Sequence, residues 1–390
     1  MITLTAKDVL PDDGTSGTLV GRVWLPNPAG PAVVAVRADG VFDVSASFST
    51  VSALCEVADP AAALQAAKGE RVGDLETIVA NTPPDRRDTT KPWLLAPLDL
   101  QVLKAAGVTF AISMLERVIE ERARGNPASA EAIRKEVVRL VGDDFSKLKP
   151  GSAEAMKLKQ VLIDQNAWSQ YLEVGIGPDA EVFTKAPTMS SVGTGMDAGL
   201  HPKSTWNNPE PEVVLVVSSR GSIVGAMLGN DVNLRDFEGR SALLLSKAKD
   251  NNASCAVGPL LRLFDRNFTL DDVRQMDVGL TVKGADGFVL DGHSSISKIS
   301  RDPTDLVAQT IGPMHQYPDG FALFLGTMFA PVKDRDAPGQ GFTHKRDDIV
   351  TISAPQLGKL VNRMRGSDEC EPWTFGIGEL MRNLAKRKVL

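Results

Sequence analysis

The sequence predicts an α+β, β-rich protein with a small mixed N-terminal domain and a larger second domain. Beyond about residue 168, short apolar runs such as VVLVV and SIVGAML follow one another with glycine-rich turns between them. Many short strands without intervening helices favour antiparallel or mixed sheets over a doubly wound parallel sheet. Helical spacing of apolar residues is concentrated in residues 112–166.

The N-terminal part is predicted to be a small α/β domain of strands and turns. The segments TLVGRVWLP and AVVAVRADGVFDV are β-like and are separated by glycine and proline. A proline-rich polar joint, NTPPDRRDTTKPW, follows them. We therefore expect one domain over residues 1–95 and another over 96–390.

Two helices are predicted after the N-terminal strands and before the strands beyond residue 168. The segments ISMLERVIEERARG and SAEAIRKEVVRLVG place apolar residues three and four apart with charges between them. The NPA segment at 126–128 is the expected break between the two helices.

Composition excludes several classes of function. The chain has 390 residues, 43% of them hydrophobic, and a net charge of −6, which argues against a nucleic-acid partner. Its three cysteines have no CxxC spacing, so neither a disulfide framework nor a zinc ribbon is expected. The sequence has no run of about 18 apolar residues and no secretion-type N-terminus. We therefore expect a cytoplasmic protein without a membrane partner.

The segment WNNPEPEVVLVVSSRGSIVGAMLGNDVNLRDFEG, residues 206–239, carries the most informative carboxylates. Glu210 and Glu212 share one face of a strand, and like charges this close repel unless a cation lies between them. An isolated pair of this kind is more often a solvated strand edge. Here the apolar run after it leads into a core, and Asp231 follows after one strand, a turn and a returning strand. Three carboxylates without histidine or cysteine suit Mg²⁺, with Mn²⁺ as the second choice.

Four further residues are candidates for this site. Lys249 follows Asp231 by 18 residues; it is either a solvated lysine at a helix end or a base beside a metal. Arg235 is either a structural ion-pair partner or a clamp for a carboxylate. Gly326 and Thr327 end an apolar strand, where backbone N–H groups and a hydroxyl can meet an anionic group.

The ordered motifs resemble the fumarylacetoacetate hydrolase superfamily over roughly residues 95–365. They comprise the paired glutamates, GNDVNLRD at 229–236, Lys249 before GP at 258–259, DG…GT at 319–327 and GQGFTH…LGKLVN at 339–362. The resemblance implies a mixed β-roll for residues 96–390. It further implies that Glu210, Glu212 and Asp231 bind a divalent metal and that the four further candidates line the substrate pocket.

One departure from the superfamily pattern concerns hydrolysis. Members that cleave carbon–carbon bonds commonly carry GxNYxxHxxE, whose histidine activates water with help from the glutamate. This chain has GVTFAISMLE at 107–116, which places Ser113 where that histidine would be and keeps Glu116. We assign Ser113 to the substrate pocket and do not expect water activation.

Sugar-acid dehydratases within the superfamily are similar to nearly the whole chain, including WNNPEPEVVL and HQYPDGFALFLGTMFAP. The implied reaction converts a 2-keto-3-deoxy pentonate of the D-xylonate or D-arabinonate type to 2,5-dioxopentanoate, in oxidative pentose catabolism. Lys249 is the expected base and Glu181 the expected acid, while Lys185 is expected to hold the substrate.

Two other functions remain open on the sequence. One is a metal-dependent hydrolase or decarboxylase of an acylpyruvate-like acid; the other is a sugar-acid-binding protein without turnover. For assembly, the β-rich second half offers edges that pairing would protect, so we expect a homodimer or homotetramer.

Overall fold

The computed structural model describes residues 1–124, 126, 129–130, 132–135, 148–164, 166–329, 331 and 333–390. The first of the two predicted helices, in the segment ISMLERVIEERARG, is present as the helix Ala111–Ala123. The predicted second helix at 129–142 and the break at 126–128 lie largely outside the described residues.

The strands, in chain order, have the following bounds. They are β1 Thr18–Pro26, β2 Ala29–Arg37, β3 Gly40–Asp43, β4 Glu70–Gly73, β5 Trp93–Leu95, β6 Val102–Gly107, β7 Glu181–Ala186, β8 Asp197–Leu200, β9 Asn207–Asn208, β10 Pro211–Val217, β11 Ile223–Asp231, β12 Asn233–Leu234, β13 Cys255–Leu263, β14 Asp277–Lys283, β15 Val289–Ser295, β16 Phe321–Phe324, β17 Ile349–Ala354 and β18 Gly358–Gly366.

The α-helices of the described residues are mostly short. They are α1 Ala6–Val9, α2 Val51–Cys55, α3 Pro60–Ala66, α4 Leu75–Ala80, α5 Ala111–Ala123, α6 Ala153–Asp164, α7 Gln170–Ile176, α8 Arg235–Glu238, α9 Leu245–Lys249, α10 Leu270–Arg274, α11 Pro303–Thr310 and α12 Ile377–Arg387. None of these described helices combines the length and the apolar character that crossing a membrane requires.

A large mixed sheet organises the fold. Among the described residues it has eleven strands in the order β4-β3-β2-β1-β13-β11-β10-β16-β6-β7, with β5 paired to β1. Most neighbours are antiparallel, whereas β16 and β6 are parallel. The described chain also forms a five-stranded sheet, β15-β14-β17-β18-β8, and a small β9–β12 pair. The predicted α+β, β-rich fold class is confirmed, and so is the mixed sheet.

Strand β10 lies in the middle of the large sheet, between β11 and β16. Successive side chains of a strand point to opposite faces. Accordingly, Val213 and Leu215 join one hydrophobic core while Val214 and Val216 join the other. The first of these cores also contains Leu280 of β14, so the five-stranded sheet packs against this face. The unbroken apolar run therefore reflects burial on both faces.

The N-terminal strands are continuous with the rest of the large sheet. β1 pairs with β13 in antiparallel register, Thr18 opposite Leu263. The C-terminal helix α12 crosses back to β2, where Asn383 Nδ2 donates to Ala29 O at 2.8 Å. The domain boundary near residue 95 stays a prediction. Hydrogen bonds join β1, on the N-terminal side of this boundary, to β13 on its other side.

Close packing between the central strands predicts a stability effect at Gly229 of β11. A Cβ at this position would lie 2.4 Å from Phe324 Cε1 and 2.5 Å from Val214 Cγ2. We expect Gly229→Ala to lower the free energy of unfolding by about 1–3 kcal/mol, because overpacking forces side chains from their preferred rotamers. Urea denaturation measures this change.

Gly312→Ala is the matched control, since no described atom lies within 4 Å of a Cβ built there. Equal unfolding free energies for the two variants would contradict this account of the packing.

Candidate active site

Three buried carboxylates form the centre of the site. Glu210, Glu212 and Asp231 each offer an oxygen, and these oxygens all lie within 4.8 Å of one another. Glu210 directly precedes β10, Glu212 lies within it, and Asp231 ends the neighbouring strand β11. The hairpin thus brings together residues 19 positions apart. The convergence of these three predicted residues is observed, and their chemistry suits a divalent cation.

Hydrogen bonds that involve the main chain hold all three members of the triad. The amide of Glu210 donates to Asn230 Oδ1 at 3.1 Å, and the amide of Asp231 donates to the carbonyl of Glu210 at 3.1 Å. The Glu212 Oε2 atom accepts the Gly326 N–H at 2.7 Å. The carboxylates therefore converge through bonds within and between adjacent strands.

Lys249 lies among the carboxylates. Its Nζ is 2.6 Å from Glu210 Oε2 and 2.9 Å from Asp231 Oδ2, and it lies 5.5 Å above the Phe183 ring. It ends helix α9 but is only 2% exposed, so it is not a solvated helix-end lysine. Burial lowers the pKa of Lys249, but the carboxylates of Asp231 and Glu210 outweigh it and raise the pKa above its ordinary value. In this arrangement the ammonium is charged.

Electrostatics differ between the two strands of the hairpin. Burial, followed by the charges of Asp231 and Glu210, raises the pKa of Glu212 well above its ordinary value. Burial also raises the pKa of Asp231, but Lys185 and Lys249 outweigh it, so that the net pKa is lowered. A cation near Glu212 would stabilise its ionised form and so lower its pKa.

Lys185 does not occupy the position expected of a substrate-binding residue. It is 0% exposed and is absent from the described walls of the cavity. Its Nζ lies 2.9 Å from Asp231 Oδ1 and donates to the carbonyl of Lys249 at 2.6 Å. The structure thus does not bring Lys185 to the cavity surface, because its ammonium lies behind Asp231, and its predicted role in holding the substrate gains no support from this position.

Gly326 and Thr327 both line the cavity, as predicted. The Gly326 N–H donates to the Glu212 carboxylate, so this donor supports the triad and is not available to an anionic ligand. Thr327 Oγ1 accepts the Phe329 N–H at 3.1 Å. Of the two, only Thr327 has a side-chain hydroxyl to offer to a ligand in the cavity.

Glu181 reaches the same cavity from the start of β7. Its partner across the sheet is Gly107, and a Cβ on Gly107 would lie 2.0 Å from Glu181 Oε2. The glycine therefore leaves room for the carboxylate. Burial, followed by the charge of Glu238, raises the pKa of Glu181 to about 7. A carboxyl with such a pKa can exchange a proton near neutrality.

Helix α5 supplies Arg117 and Glu120, two charged residues that the sequence reasoning did not single out. Arg117 contacts Glu210, lies 2.7 Å from Glu120 Oε2 and lies 3.1 Å from Glu238 Oε2. Burial and the charges of Arg117 shift the pKa of Glu238 in opposite directions, with burial prevailing and the pKa raised. The helical spacing of Glu116 and Glu120 was the available signal, because residues four apart share one face.

Arg235 is a structural ion-pair partner as well as a wall of the cavity. Its Nε donates to Glu120 Oε1 at 2.6 Å, and its guanidinium carbon lies 4.2 Å above the Trp206 ring. Its Nη2 also lies 3.4 Å from Glu116 Oε2, while Arg134 Nη2 lies 2.7 Å from the same oxygen. Arg235 is thus held in place by two carboxylates of α5.

Ser113 lines the cavity, but its hydroxyl donates to the Phe110 carbonyl at 2.9 Å. None of the described residues lining the cavity is a histidine. Glu116, the other half of the hydrolytic motif, is engaged by two arginines. The described cavity therefore lacks the histidine–glutamate pair that would activate water.

These residues line one narrow cavity that opens to solvent. The charged side chains lining it comprise seven carboxylates and three cations: Glu116, Glu120, Glu181, Glu210, Glu212, Asp231 and Glu238, with Arg117, Arg235 and Lys249. Such a wall is suited to a small polar ligand accompanied by a cation.

No protein-family model matches the sequence. The chain is 28% identical over 188 residues to 2-dehydro-3-deoxy-D-arabinonate dehydratase of Saccharolobus solfataricus, covering 47% of this chain and 58% of the relative. It is 29% identical over 192 residues to a Haloferax volcanii protein named "Probable 2-keto-3-deoxyxylonate dehydratase", covering 49% and 62%. The similarity spans about three fifths of each relative.

Solved structures are similar over more of the chain. A 2-keto-3-deoxy-D-arabinonate dehydratase complexed with magnesium and 2,5-dioxopentanoate has a TM-score of 0.59 at 19% identity, covering 89% of this chain and 99% of that one. A fumarylacetoacetate hydrolase from Exiguobacterium antarcticum has a TM-score of 0.52 at 15% identity, covering 90% and 99%. The chain has the fumarylacetoacetate hydrolase fold. The resemblance identified from the motifs is confirmed at the level of this fold.

The raised pKa of Glu181 predicts a pH-dependent stability difference. A carboxyl whose pKa is about 7 when folded and 4.5 ordinarily stays protonated in the folded state while the unfolded chain ionises. Between these values, rising pH should lower the unfolding free energy of the wild type relative to Glu181→Gln, by about 1–3 kcal/mol in total. Urea denaturation with EDTA from pH 4 to 8 measures the difference.

Glu154→Gln, which alters an exposed carboxylate on α6, is the control and should leave the pH profile unchanged. Parallel profiles for wild type and Glu181→Gln would show that Glu181 has an ordinary pKa.

Proposed function

We propose that this protein is a metal-dependent hydro-lyase that dehydrates a 2-keto-3-deoxy pentonate to 2,5-dioxopentanoate. The observation that carries the proposal is the convergence of the three-carboxylate cluster, Lys249 and Glu181 on one cavity. The names of the two similar dehydratases support this reaction class and point to D-arabinonate- or D-xylonate-type substrates. Oxidative pentose catabolism is the pathway in which such a step would serve.

The donor set fits a divalent metal. Lys185 and Arg134 pair with Asp231 and Glu116 from outside the cavity wall. Counting them, five cations face seven carboxylates, of which Glu181 is the one proposed to be protonated. The cluster therefore keeps a net negative charge that a bound cation would offset, and hard oxygen ligands favour Mg²⁺, with Mn²⁺ as an alternative. The magnesium in the similar dehydratase structure supports the same choice.

Glu210, Glu212 and Asp231 would hold this ion. When bound, it supplies Lewis-acid stabilisation of the negative charge that develops on the C2 keto oxygen of a 2-keto acid. Arg235 and Thr327, which line the cavity, would contact the polar groups of the substrate. Ser113 would contribute only as a wall, since its hydroxyl is bonded to Phe110.

Lys249 is the proposed base that takes a proton from C3. Its pKa is raised while Glu210 and Asp231 share its ammonium. Lys249 would lose part of this stabilisation when the same carboxylates are shared with another cation, and its pKa would fall. Its position beside the triad would bring the amine near the carbon adjacent to the keto group of a substrate held there.

Glu181 is the proposed acid that protonates the departing C4 hydroxyl, which leaves as water. Its pKa of about 7 makes the neutral carboxyl available near neutrality. The C3=C4 double bond that remains shifts when a proton moves from C5 to C3, which gives a C4=C5 enol. The enol hydroxyl then loses its proton while C4 gains one, so that C5 becomes the aldehyde of 2,5-dioxopentanoate. No atom other than those of water is lost from the substrate.

The wider assignment is a homodimer or homotetramer in the cytoplasm that acts on a small sugar acid without a nucleic-acid or membrane partner. It rests on the acidic composition, on the cysteine usage and on the sheet edges that assembly would protect.

The reaction is tested by incubating the purified protein with Mg²⁺ and a panel of 2-keto-3-deoxy pentonates and detecting an aldehyde product. We expect turnover that EDTA removes and that Mg²⁺ restores. Glu212→Gln should reduce metal affinity and turnover at least about tenfold, because the ion loses a charged ligand. Calorimetry reports the binding and the aldehyde assay reports the turnover.

Gly312→Ala serves as the control, because Gly312 is not among the described residues that line the cavity. Normal metal binding and turnover by Glu212→Gln would refute the ligand assignment. Hydrolysis of acylpyruvates at a rate rivalling dehydration would refute the reaction class.

Lys249→Arg distinguishes a base from a positive anchor. Arginine keeps the charge but cannot release a proton near neutrality. We expect the variant to bind 2-oxobutyrate, a substrate analogue, yet to lose dehydration and the exchange of C3 protons with D₂O. NMR follows the exchange.

Glu181→Gln is the companion variant and should keep C3 exchange while it loses dehydration. The opposite pattern, exchange retained by Lys249→Arg and lost by Glu181→Gln, would exchange the two roles.

A further inference from the structure

We propose that Lys185 is a positioning residue for the metal ligands, which holds Asp231 and the main chain of Lys249 in register with each other. This inference rests on the proposed metal site and concerns a residue outside the walls of the cavity. The two anchored groups come from different elements, the end of β11 and the end of α9. A single ammonium group joins them.

The contacts of Lys185 show how this link is made. Its Nζ lies 2.9 Å from Asp231 Oδ1 and donates to the carbonyls of Lys249 at 2.6 Å and Val232 at 3.2 Å. Ser254 Oγ donates to the same Lys249 carbonyl at 2.7 Å. The ammonium is thus surrounded by oxygens on residues next to or within the site.

An irregularity in the sheet directs this side chain inward. Leu103 of β6 faces Ala186 of β7, but the next residue, Lys104, faces Thr184. Lys185 is therefore an additional residue on β7 with no partner on β6. Bulges of this kind re-aim a side chain. Thr184 is exposed and Lys185 is fully buried.

The two carboxylate oxygens of Asp231 have different partners. This difference explains how Lys185 could orient the carboxylate. Oδ1 is held by Lys185, whereas Oδ2 faces Lys249 at 2.9 Å, on the side of Glu210. With Lys185 in place, rotation of the carboxylate would break an ion pair in a dry interior, where charges are costly to leave unpaired. Lys185 thereby keeps Oδ2 directed towards the other ligands.

A second effect of Lys185, repulsion of the metal ion, would change metal affinity in the opposite direction. A positive charge 2.9 Å from Asp231 repels a metal ion as well as orienting its ligand. If repulsion prevailed, removal of Lys185 would tighten metal binding. If orientation prevails, as proposed, removal weakens it.

The test measures Mn²⁺ affinity by titration calorimetry on purified wild type, Lys185→Gln and Lys185→Met. We expect both variants to bind Mn²⁺ about 10–100-fold more weakly, the usual effect of removing a group that orients a metal ligand. Excess metal should restore a large part of the dehydration rate. Lys104→Gln is the matched control; its ammonium donates to Thr184 Oγ1 on the other side of the same irregularity.

The outcomes separate the two proposals. Wild type that binds no Mn²⁺ refutes the metal site itself. Wild type that binds, together with Lys185 variants that bind equally or more tightly, refutes the positioning role alone. A lower melting temperature without a change in Mn²⁺ affinity, or variants that do not fold, would assign Lys185 to the fold and overturn the proposal.

Discussion

The mutual repulsion of three buried carboxylates is the constraint on which the site depends. Glu210, Glu212 and Asp231 lie too close together to be ionised without cations around them. Lys249 and Lys185 contact Asp231 from two sides, and Arg117 contacts Glu210. Glu212 accepts a hydrogen bond from a backbone amide, but burial, followed by the charges of Asp231 and Glu210, raises its pKa. Negative charge is therefore least compensated at Glu212. A further cation bound beside it would stabilise the cluster.

The sheet makes this repulsion tolerable by making the hairpin rigid. Strands β10 and β11 are buried on both faces and are flanked by β16 and β13. A tightly packed interior resists the displacement by which like charges would otherwise separate. Helix α5 adds Glu116 and Glu120, whose arginine partners extend the charge network away from the triad. Fold stability and site electrostatics therefore draw on the same central strands.

Spacing within one hairpin made part of the site predictable. Residues on paired strands are brought together by local geometry, so Glu210, Glu212 and Asp231 could be grouped before the structure was known. Lys249 was identified, but its burial depends on packing between distant elements. Arg117 and Glu238 escaped notice because charged residues on a helix have the same spacing whether they face solvent or a cavity. The buried position of Lys185 was not anticipated, because an additional residue in β7 has no signature in the apolar pattern. The C-terminal helix α12, which contacts β2, was not anticipated either.

The additional residue in β7 implies a conflict between regularity and charge. A deletion of Lys185 would let β6 and β7 pair without interruption, and by the usual criteria of strand pairing it would improve the sheet. It would also leave Asp231 without its second cation and the Lys249 carbonyl without one of its two donors. The length of β7 is therefore set by contacts with a neighbouring site. Selection for a more regular sheet would act against that site.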